Sequence, residues 1–179
     1  MDPLEIIKKY YPENSLLYNI LVQHDQQVTE KALTIADNHP EMKLNKQFIY
    51  EAAMLHDIGI FKTNAPEIYC FGEYPYICHG YLGSELLKTE GYPDHALVCE
   101  RHTGTGITMK EIIKKGLPLP HRDMSPVSLE EQLICFADKF YSKSKIGKEK
   151  TIDKIRKGLA KHGNKSIERF DYWCELFLG

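Results

Sequence analysis

Helical periodicity is the feature of this sequence that most restricts its fold. From about Ser15 to Asp37, apolar residues recur at intervals of three and four, which places them on one face of a long amphipathic helix. The members of this stripe are Leu17, Ile20, Leu21, His24, Val28 and Ile35. No stretch of useful length alternates with a period of two, as a half-buried strand would. The pattern therefore predicts an all-α fold.

Capping and breaking residues divide the rest of the chain into further helices. Asn45 is a candidate N-cap for a second helix that ends at Gly59. Ser128 and Glu131 have the spacing of a capping box, in which each side chain binds a backbone N–H near the other residue. Further helices are predicted at about 79–89, at 107–115, at 148–160 and at 165–177, and a short helix follows the turn at 91–93 and ends at His102. The segments 61–78 and 117–127 are predicted to be irregular.

The length fits one helical domain. A chain of 179 residues is close to the usual size of a single domain. We expect a single-domain helical bundle over residues 1–179, with a core from about 15 to 145 and C-terminal helices over 148–178.

The composition indicates a globular, cytoplasmic protein. Hydrophobic residues make up 42% of the chain and charged residues 27%, which is typical of a folded domain. The N-terminus lacks the basic and apolar regions of a signal peptide, and no apolar stretch is long enough to cross a bilayer. Five cysteines without a CxxC pair are typical of reduced thiols that fill a core. We therefore expect a cytoplasmic location and no membrane partner.

The charge is unevenly distributed although the net charge is only −2. Residues 139–165 contain ten Lys or Arg residues and two acidic residues, so this basic segment carries +8. A positive field near a reactive site would concentrate anionic substrates, and a solvated helix face explains the segment equally well. Aromatic residues are not interleaved with these cations beyond Phe140 and Tyr141, which disfavours a nucleic-acid partner.

Four histidines and two aspartates fall at inward positions of the predicted helices. They are His24, His56, Asp57, His79, His102 and Asp138. Each one alone has an ordinary explanation, such as a hydrogen-bonded core histidine or an aspartate paired with Lys or Arg. Several imidazoles and two carboxylates in one core are costly unless cations compensate them. Mixed imidazole and carboxylate ligands suit divalent Fe, Mn, Zn, Co or Ni, so the set indicates a metal site.

The order and spacing of these residues resemble the HD domain, in the variant with two additional histidines. The matching motifs are His24, His56-Asp57-Ile58-Gly59, His79-Gly80, Arg101-His102-Thr103-Gly104 and Ala137-Asp138-Lys139. The spacing is similar to that of bacterial HD hydrolases that cleave symmetrical diadenosine tetraphosphate and of HD-GYP phosphodiesterases. Many relatives with two metals have Lys or His where this chain has Ile60, and the GYP motif is not evident, which disfavours a cyclic dinucleotide substrate.

The resemblance implies a binuclear metal site. Carried over to this chain, it implies that one divalent ion is held by four residues and a second by three, with Asp57 shared. The first set is His24, His56, Asp57 and Asp138, and the second is Asp57, His79 and His102.

The function implied by the resemblance is that of a metal-dependent phosphohydrolase. It would cleave a phosphoester or phosphoanhydride bond of a nucleotide-like substrate with metal-activated water. Asp57 is the first catalytic candidate, and Arg101 and Lys143 are candidates for stabilising the charge that develops on phosphorus.

Two other functions stay open at this point. One is a di-iron HD-type oxygenase. Ile60 counts against it, because related oxygenases use a basic residue at that position to contact the substrate. The other is a non-catalytic module that binds a nucleotide or a partner through the basic segment. The complete set of six metal-ligand candidates counts against that module.

Overall fold

The protein consists of helices joined by turns and one very short sheet. The structure is a computed structural model that describes residues 1–179. The helices are α1 (Pro3–Lys8), α2 (Leu16–Asn38), α3 (Lys46–Ala53), α4 (His79–Thr89), α5 (Pro93–Arg101), α6 (Met109–Lys115), α7 (Leu129–Asp138), α8 (Ile152–Leu159) and α9 (Asn164–Leu178). Strands β1 (Asn64–Ala65) and β2 (Cys70–Phe71) pair antiparallel, with Asn64 opposite Phe71. The predicted all-α class is confirmed, and α1 is a helix that the sequence analysis did not predict.

Side-chain caps define where three of the long helices begin. The Ser15 hydroxyl accepts a hydrogen bond from the N–H of Tyr18 at the start of α2, at 3.1 Å. Asn45 caps α3, and Ser128 caps α7, in the same way. These caps satisfy backbone N–H groups that the first helical turn leaves without partners, so the three predicted helix starts are confirmed.

The predicted capping box at α7 is wrong in its second half. The carboxylate of Glu131 does not return to the backbone of Ser128; it accepts from the N–H of Val127 at 3.0 Å and from Arg101. The reason is that the guanidinium of Arg101 competes for that carboxylate. A complete capping box forms at α6, between Thr108 and the residue three positions later.

Helix α3 ends at Ala53, six residues before the predicted end at Gly59. The chain continues in tight turns, with hydrogen bonds from the N–H of Ile58 to the carbonyl of Leu55 and from that of Ile60 to that of Asp57. These three-residue steps rotate the chain away from the helix axis. Asp57 therefore lies on a turn, where consecutive side chains can face one centre.

Close backbone contact brings this turn against α4. A Cβ atom on Gly59 would lie 2.3 Å from the carbonyl oxygen of His79, and one on Gly83 would lie 2.5 Å from the sulfur of Cys99. Only residues without side chains permit this approach. The glycines therefore place His79 beside the turn that carries Asp57.

Two large hydrophobic clusters and a smaller third one hold the helices together. The larger one joins α2, α3, α5, α7, α8 and α9, and the second joins α1, α2, the turn after α3, α4 and α5. The third joins α4 and α6. On α2, His24 lies between Leu21, which belongs to the second cluster, and Val28, which belongs to the larger one. Four of the five cysteines are buried, and all five are free thiols. No helix is both long and apolar enough to cross a membrane.

Candidate metal centre

The structure brings all six predicted metal-ligand candidates together. Their nitrogen and oxygen atoms form two groups that share Asp57, and within each group these atoms lie within 4.8 Å of one another. One group is His24, His56, Asp57 and Asp138, and the other is Asp57, His79 and His102. We call these six residues the metal cluster. All are buried except Asp138, which is partly exposed.

The carboxylate of Asp57 is positioned between the two groups. Its Oδ2 atom lies 3.2 Å from Nε2 of His24 and 3.2 Å from Nε2 of His56. Its Oδ1 atom lies 3.4 Å from Nε2 of His79 and 3.3 Å from Nε2 of His102. Each oxygen therefore faces a different pair of imidazoles.

Backbone carbonyls fix the orientation of three of the histidines. In each, the Nδ1–H group donates to the carbonyl of the residue three positions earlier, which leaves the Nε2 lone pair available to a cation. These hydrogen bonds join His56 to Ala53 at 2.6 Å, His79 to Tyr76 at 2.7 Å and His102 to Cys99 at 2.7 Å. Nε2 of His24 contacts Asp138 Oδ1 at 3.0 Å instead.

Burial and neighbouring charges shift the pKa values of three residues of the metal cluster. Burial raises the pKa of Asp57, but Lys143 and His56 outweigh it and hold that pKa well below its usual range. Burial lowers the pKa of His79 to about 3. Burial also lowers the pKa of His56, but the carboxylates of Asp57 and Asp25 outweigh it and raise that pKa, so a cation would have to displace a proton there.

Several buried polar atoms of the cluster have no hydrogen-bond partner. They are Nδ1 of His24, Nε2 of His56 and Oδ1 of Asp57. The ammonium of Lys143 lies 2.5 Å from Oδ2 of Asp57 as an ion pair, and no other lysine or arginine pairs with that carboxylate. Buried polar atoms without partners are costly, and imidazole nitrogens with carboxylate oxygens are suitable ligands for divalent transition metals. The residues present therefore fit a metal centre.

Comparison with known proteins agrees with this geometry. The family model of the HD domain matches residues 21–142, which is more than half of the chain. The protein belongs to the HD domain family. The match includes every residue of the metal cluster, from His24 to Asp138.

The similar proteins differ in length and in name. An uncharacterized protein of Methanocaldococcus jannaschii is 32% identical over 170 residues, which cover 93% of this chain and 89% of that protein. A tRNA (cytidine(56)-2'-O)-methyltransferase of Picrophilus torridus is 33% identical over 129 residues, 72% of this chain and 33% of that enzyme. The enzyme of the same name from Thermoplasma volcanium is 29% identical over 161 residues, 89% of this chain and 43% of that enzyme. The HD chain thus spans less than half of either methyltransferase, and no solved structure matches it.

Lys143 lies at the metal cluster, whereas Arg101 does not. Lys143 contacts Asp57 as described, and Lys139 lies 2.8 Å from Asp138 Oδ2. Nη1 of Arg101 donates to both carboxylate oxygens of Glu131, at 3.1 and 3.0 Å. Consecutive helical residues point about 100° apart, so the proximity of His102 to the cluster does not bring Arg101 there. The structure gives no support to the predicted role of Arg101 at phosphorus.

A cavity of about 560 Å³ opens above the metal cluster. His24, His79, His102 and Asp138 form its floor. Of the three tyrosines in segment 61–78, only Tyr76 lines it, and its ring stacks on that of His79 with centroids 4.7 Å apart.

One histidine outside the cluster lines this cavity. His162 is exposed and lies in the cavity wall formed by α8 and the turn after it. His121 is also exposed and does not line the cavity. No local sequence signal reveals that α8 would lie over the cavity.

Asp25 is a buried carboxylate at the cluster that the sequence analysis missed. It is fully buried, neither oxygen has a hydrogen-bond partner, and Oδ1 lies 3.6 Å from Nδ1 of His56. A signal was present, because position 25 is four residues after Leu21 and three before Val28 on the buried face of α2. The spacing of apolar residues alone does not mark this aspartate, although it lies on the same face as they do.

Proposed function

We propose that this HD protein is a metal-dependent phosphohydrolase that cleaves a phosphoester or phosphoanhydride bond of a nucleotide-like substrate. One observation carries the proposal: Asp57 is shared by two groups of potential ligands at the floor of a cavity lined by lysines. A buried anionic floor beneath a cationic wall suits a substrate whose phosphate contacts metal below and ammonium groups at the side.

The six residues of the metal cluster would hold two divalent ions, as in the variant with two additional histidines. His24, His56, Asp57 and Asp138 would hold one, and His79 and His102 the other, with Asp57 common to both. When bound, such ions supply Lewis acidity toward water and phosphoryl oxygens.

The other residues of the cavity would position and stabilise the phosphate. Lys143 and Lys139 are held beside the cluster by Asp57 and Asp138, so their ammonium groups are fixed close to where negative charge develops. The ring of Tyr76 covers one face of His79 and limits the access of water to it. Methyl transfer to tRNA is not carried over from the two methyltransferases, because the chain spans less than half of each.

Metal analysis and a hydrolysis screen test this proposal together. The purified protein is analysed for metals, loaded in turn with Mn, Fe, Co, Ni and Zn, and assayed for phosphate release. The substrates are nucleoside mono-, di- and triphosphates, diadenosine tetraphosphate and simple phosphomonoesters. Asp57→Ala should lose most of the metal and lower turnover by at least about a hundredfold, because both groups depend on its carboxylate. Asp94→Ala, which removes an exposed carboxylate outside the cavity, is the matched control.

The two ligand groups make separate predictions about stoichiometry. His102→Ala should remove one of two metals and leave the other, because His102 belongs only to the second group. Full activity of Asp57→Ala would end the metal-centre proposal, and unchanged stoichiometry in His102→Ala would refute its two-metal form. Oxygen consumption by the iron-loaded protein without phosphate release would favour the oxygenase instead.

A further inference from the structure

The cavity continues beyond the metal cluster to a wall formed by α8. Lys150, Lys154, Gly158 and His162 line this end. The wall is anchored, because the N–H of Lys150 donates to the carbonyl of Phe140 at 2.8 Å, and Ile155 and Leu159 are buried in the larger hydrophobic cluster. The backbone that carries these cations is therefore anchored to the core.

The inner and outer lysines of the cavity differ in their partners. Lys139 and Lys143, near the floor, form ion pairs with Asp138 and Asp57. Lys150 and Lys154, at the far wall, form no salt bridge. Nζ of Lys150 donates only to the carbonyl of Tyr141, at 3.2 Å. The far end of the cavity thus carries positive charge that no carboxylate of the protein neutralises.

A second cavity of about 510 Å³ adjoins this end and shares four of its lining residues. The shared residues are Ser142, Ser144, Lys150 and Lys154. No hydrophobic residue lines the second cavity, and Lys145 and Lys148 add two further cations without ion pairs. Its one carboxylate, Glu149, is paired with Lys31 on α2. We call the adjoining walls of the two cavities the lysine trough.

The environment of Lys150 is that of a cation without a counter-anion. Burial and the neighbouring Lys139, Lys143 and Lys154 lower the pKa of Lys150, against the opposing effect of Asp138. An anion in the trough would relieve this repulsion. Such a ligand should carry negative charge, because four lysines and three hydroxyl side chains line the second cavity and no hydrophobic residue does.

We propose that Lys150 and Lys154 form a second anion subsite, which binds a phosphate group of the substrate that does not react. This inference rests on the proposed function and specifies its substrate class. The substrate would carry at least two phosphate groups, as nucleoside polyphosphates and bisphosphates do. One phosphate lies over the metal cluster, and another lies in the lysine trough.

Binding of inorganic phosphates tests the subsite without relying on turnover. Orthophosphate and tripolyphosphate are titrated into the full chain by calorimetry, both as purified and after treatment with EDTA, since tripolyphosphate chelates metals. The wild type should bind tripolyphosphate more tightly than orthophosphate. Lys150→Ala/Lys154→Ala should weaken tripolyphosphate binding about tenfold, the size expected for two partly exposed ion pairs, and should change orthophosphate binding little.

A matched variant distinguishes binding at the subsite from a general attraction of anions to the positive charge of this region. Lys157→Ala/Lys161→Ala removes the same charge from α8 and the turn after it, but neither residue lines either of the two cavities. If this control loses as much affinity as the trough variant, the subsite is refuted. Lys150→Gln/Lys154→Gln, checked by circular dichroism, repeats the test with side chains of similar size if the alanine variant does not fold.

The outcomes distinguish the subsite from the proposed function. If the wild type hydrolyses phosphate compounds but the trough variants bind tripolyphosphate as tightly as it does, the subsite is overturned and the hydrolase proposal stands. If no substrate is hydrolysed but the trough variants lose tripolyphosphate selectively, the subsite stands as an anion site and the hydrolase proposal fails. A wild type that binds both anions with equal affinity also overturns the subsite.

Discussion

Asp57 has no exposure to solvent, and each of its oxygens faces a different pair of imidazoles. A fully buried carboxylate is costly, and the one ammonium beside it, that of Lys143, approaches only one oxygen. The other oxygen faces His79 and His102, which carry their protons on Nδ1. At the scale of single residues, this oxygen, which no lysine or arginine approaches, is the strongest physical reason to place cations at the cluster.

Glu51 provides a residue-scale prediction away from the cluster. Its carboxylate accepts from the N-terminal ammonium of Met1 at 2.7 Å, from Gln47 at 2.8 Å and from His95 at 3.0 Å. Burial raises the pKa of Glu51, but these donors outweigh it and lower that pKa from 4.5 to about 2. Its ionisation therefore stabilises the fold above pH 4.5, and this contribution is lost as the pH falls from 4.5 toward 2.

Replacing Glu51 should show this pH dependence directly. We expect Glu51→Gln to lower the free energy of unfolding by about 1–3 kcal/mol at pH 7 and by clearly less at pH 3, as measured by urea denaturation. Glu73→Gln removes an exposed carboxylate that forms no ion pair and should have little effect at either pH. An equal loss for Glu51→Gln at both pH values would contradict the assigned pKa shift.

At the scale of elements, the contact between the turn after α3 and α4 decides where the two ligand groups meet. The turn carries His56 and Asp57, and α4 begins at His79. Gly59 and Gly83 form the crossing point, where the backbones approach too closely for side chains. The geometry of the metal cluster thus depends on residues that do not belong to it.

Gly59→Ala should destabilise the protein by about 1–3 kcal/mol, because its methyl group would overlap backbone atoms that no rotamer change can move. It should also lower the metal content, since α4 and His79 would be displaced. Gly158→Ala on α8 is the matched control: a Cβ there meets nothing within 4 Å, and alanine should be neutral or stabilise the helix by about 0.5–1 kcal/mol. Equal stability of the two variants, measured by urea denaturation, would refute the crossing-point argument.

At the scale of the whole molecule, α9 is part of the same hydrophobic cluster as α2, α3 and α7. The ring of Phe136 on α7 lies 5.4 Å from that of Phe170 and 5.5 Å from that of Phe177. The indole of Trp173 is buried, and its N–H donates to Gln132 at 3.0 Å. The C-terminal helix is therefore joined to the helices that carry His24 and Asp138.

This packing predicts that α9 unfolds together with the rest of the chain. Trp173 is the only tryptophan, so its fluorescence reports α9, and far-UV circular dichroism reports all the helices. The two urea transitions should coincide. Phe177→Ala should lower both midpoints together, with a loss of about 3–5 kcal/mol, whereas Tyr172→Ala, on the exposed face of α9, should change them little. A fluorescence transition at lower urea than the circular dichroism transition would show that α9 detaches separately.

Several features of this HD protein could be predicted from sequence because they are local. The spacing of apolar residues determines a helix face, and Ser15, Asn45 and Ser128 cap the helices that follow them. The six residues of the metal cluster could also be selected, because imidazoles and carboxylates at inward positions are costly without cations. Asp25 meets the same criterion, because it is a buried carboxylate on the inward face of α2.

Other features were decided only by the tertiary structure. The side chain of Arg101 pairs with Glu131, thirty residues away in sequence, and that contact also prevents the predicted capping box. The early end of α3 depends on the crossing with α4, and the lysine trough depends on α8 lying over the cavity. Sequence spacing sets which residues share a face of one helix, but the direction of that face toward distant elements is fixed by the packing of the whole chain.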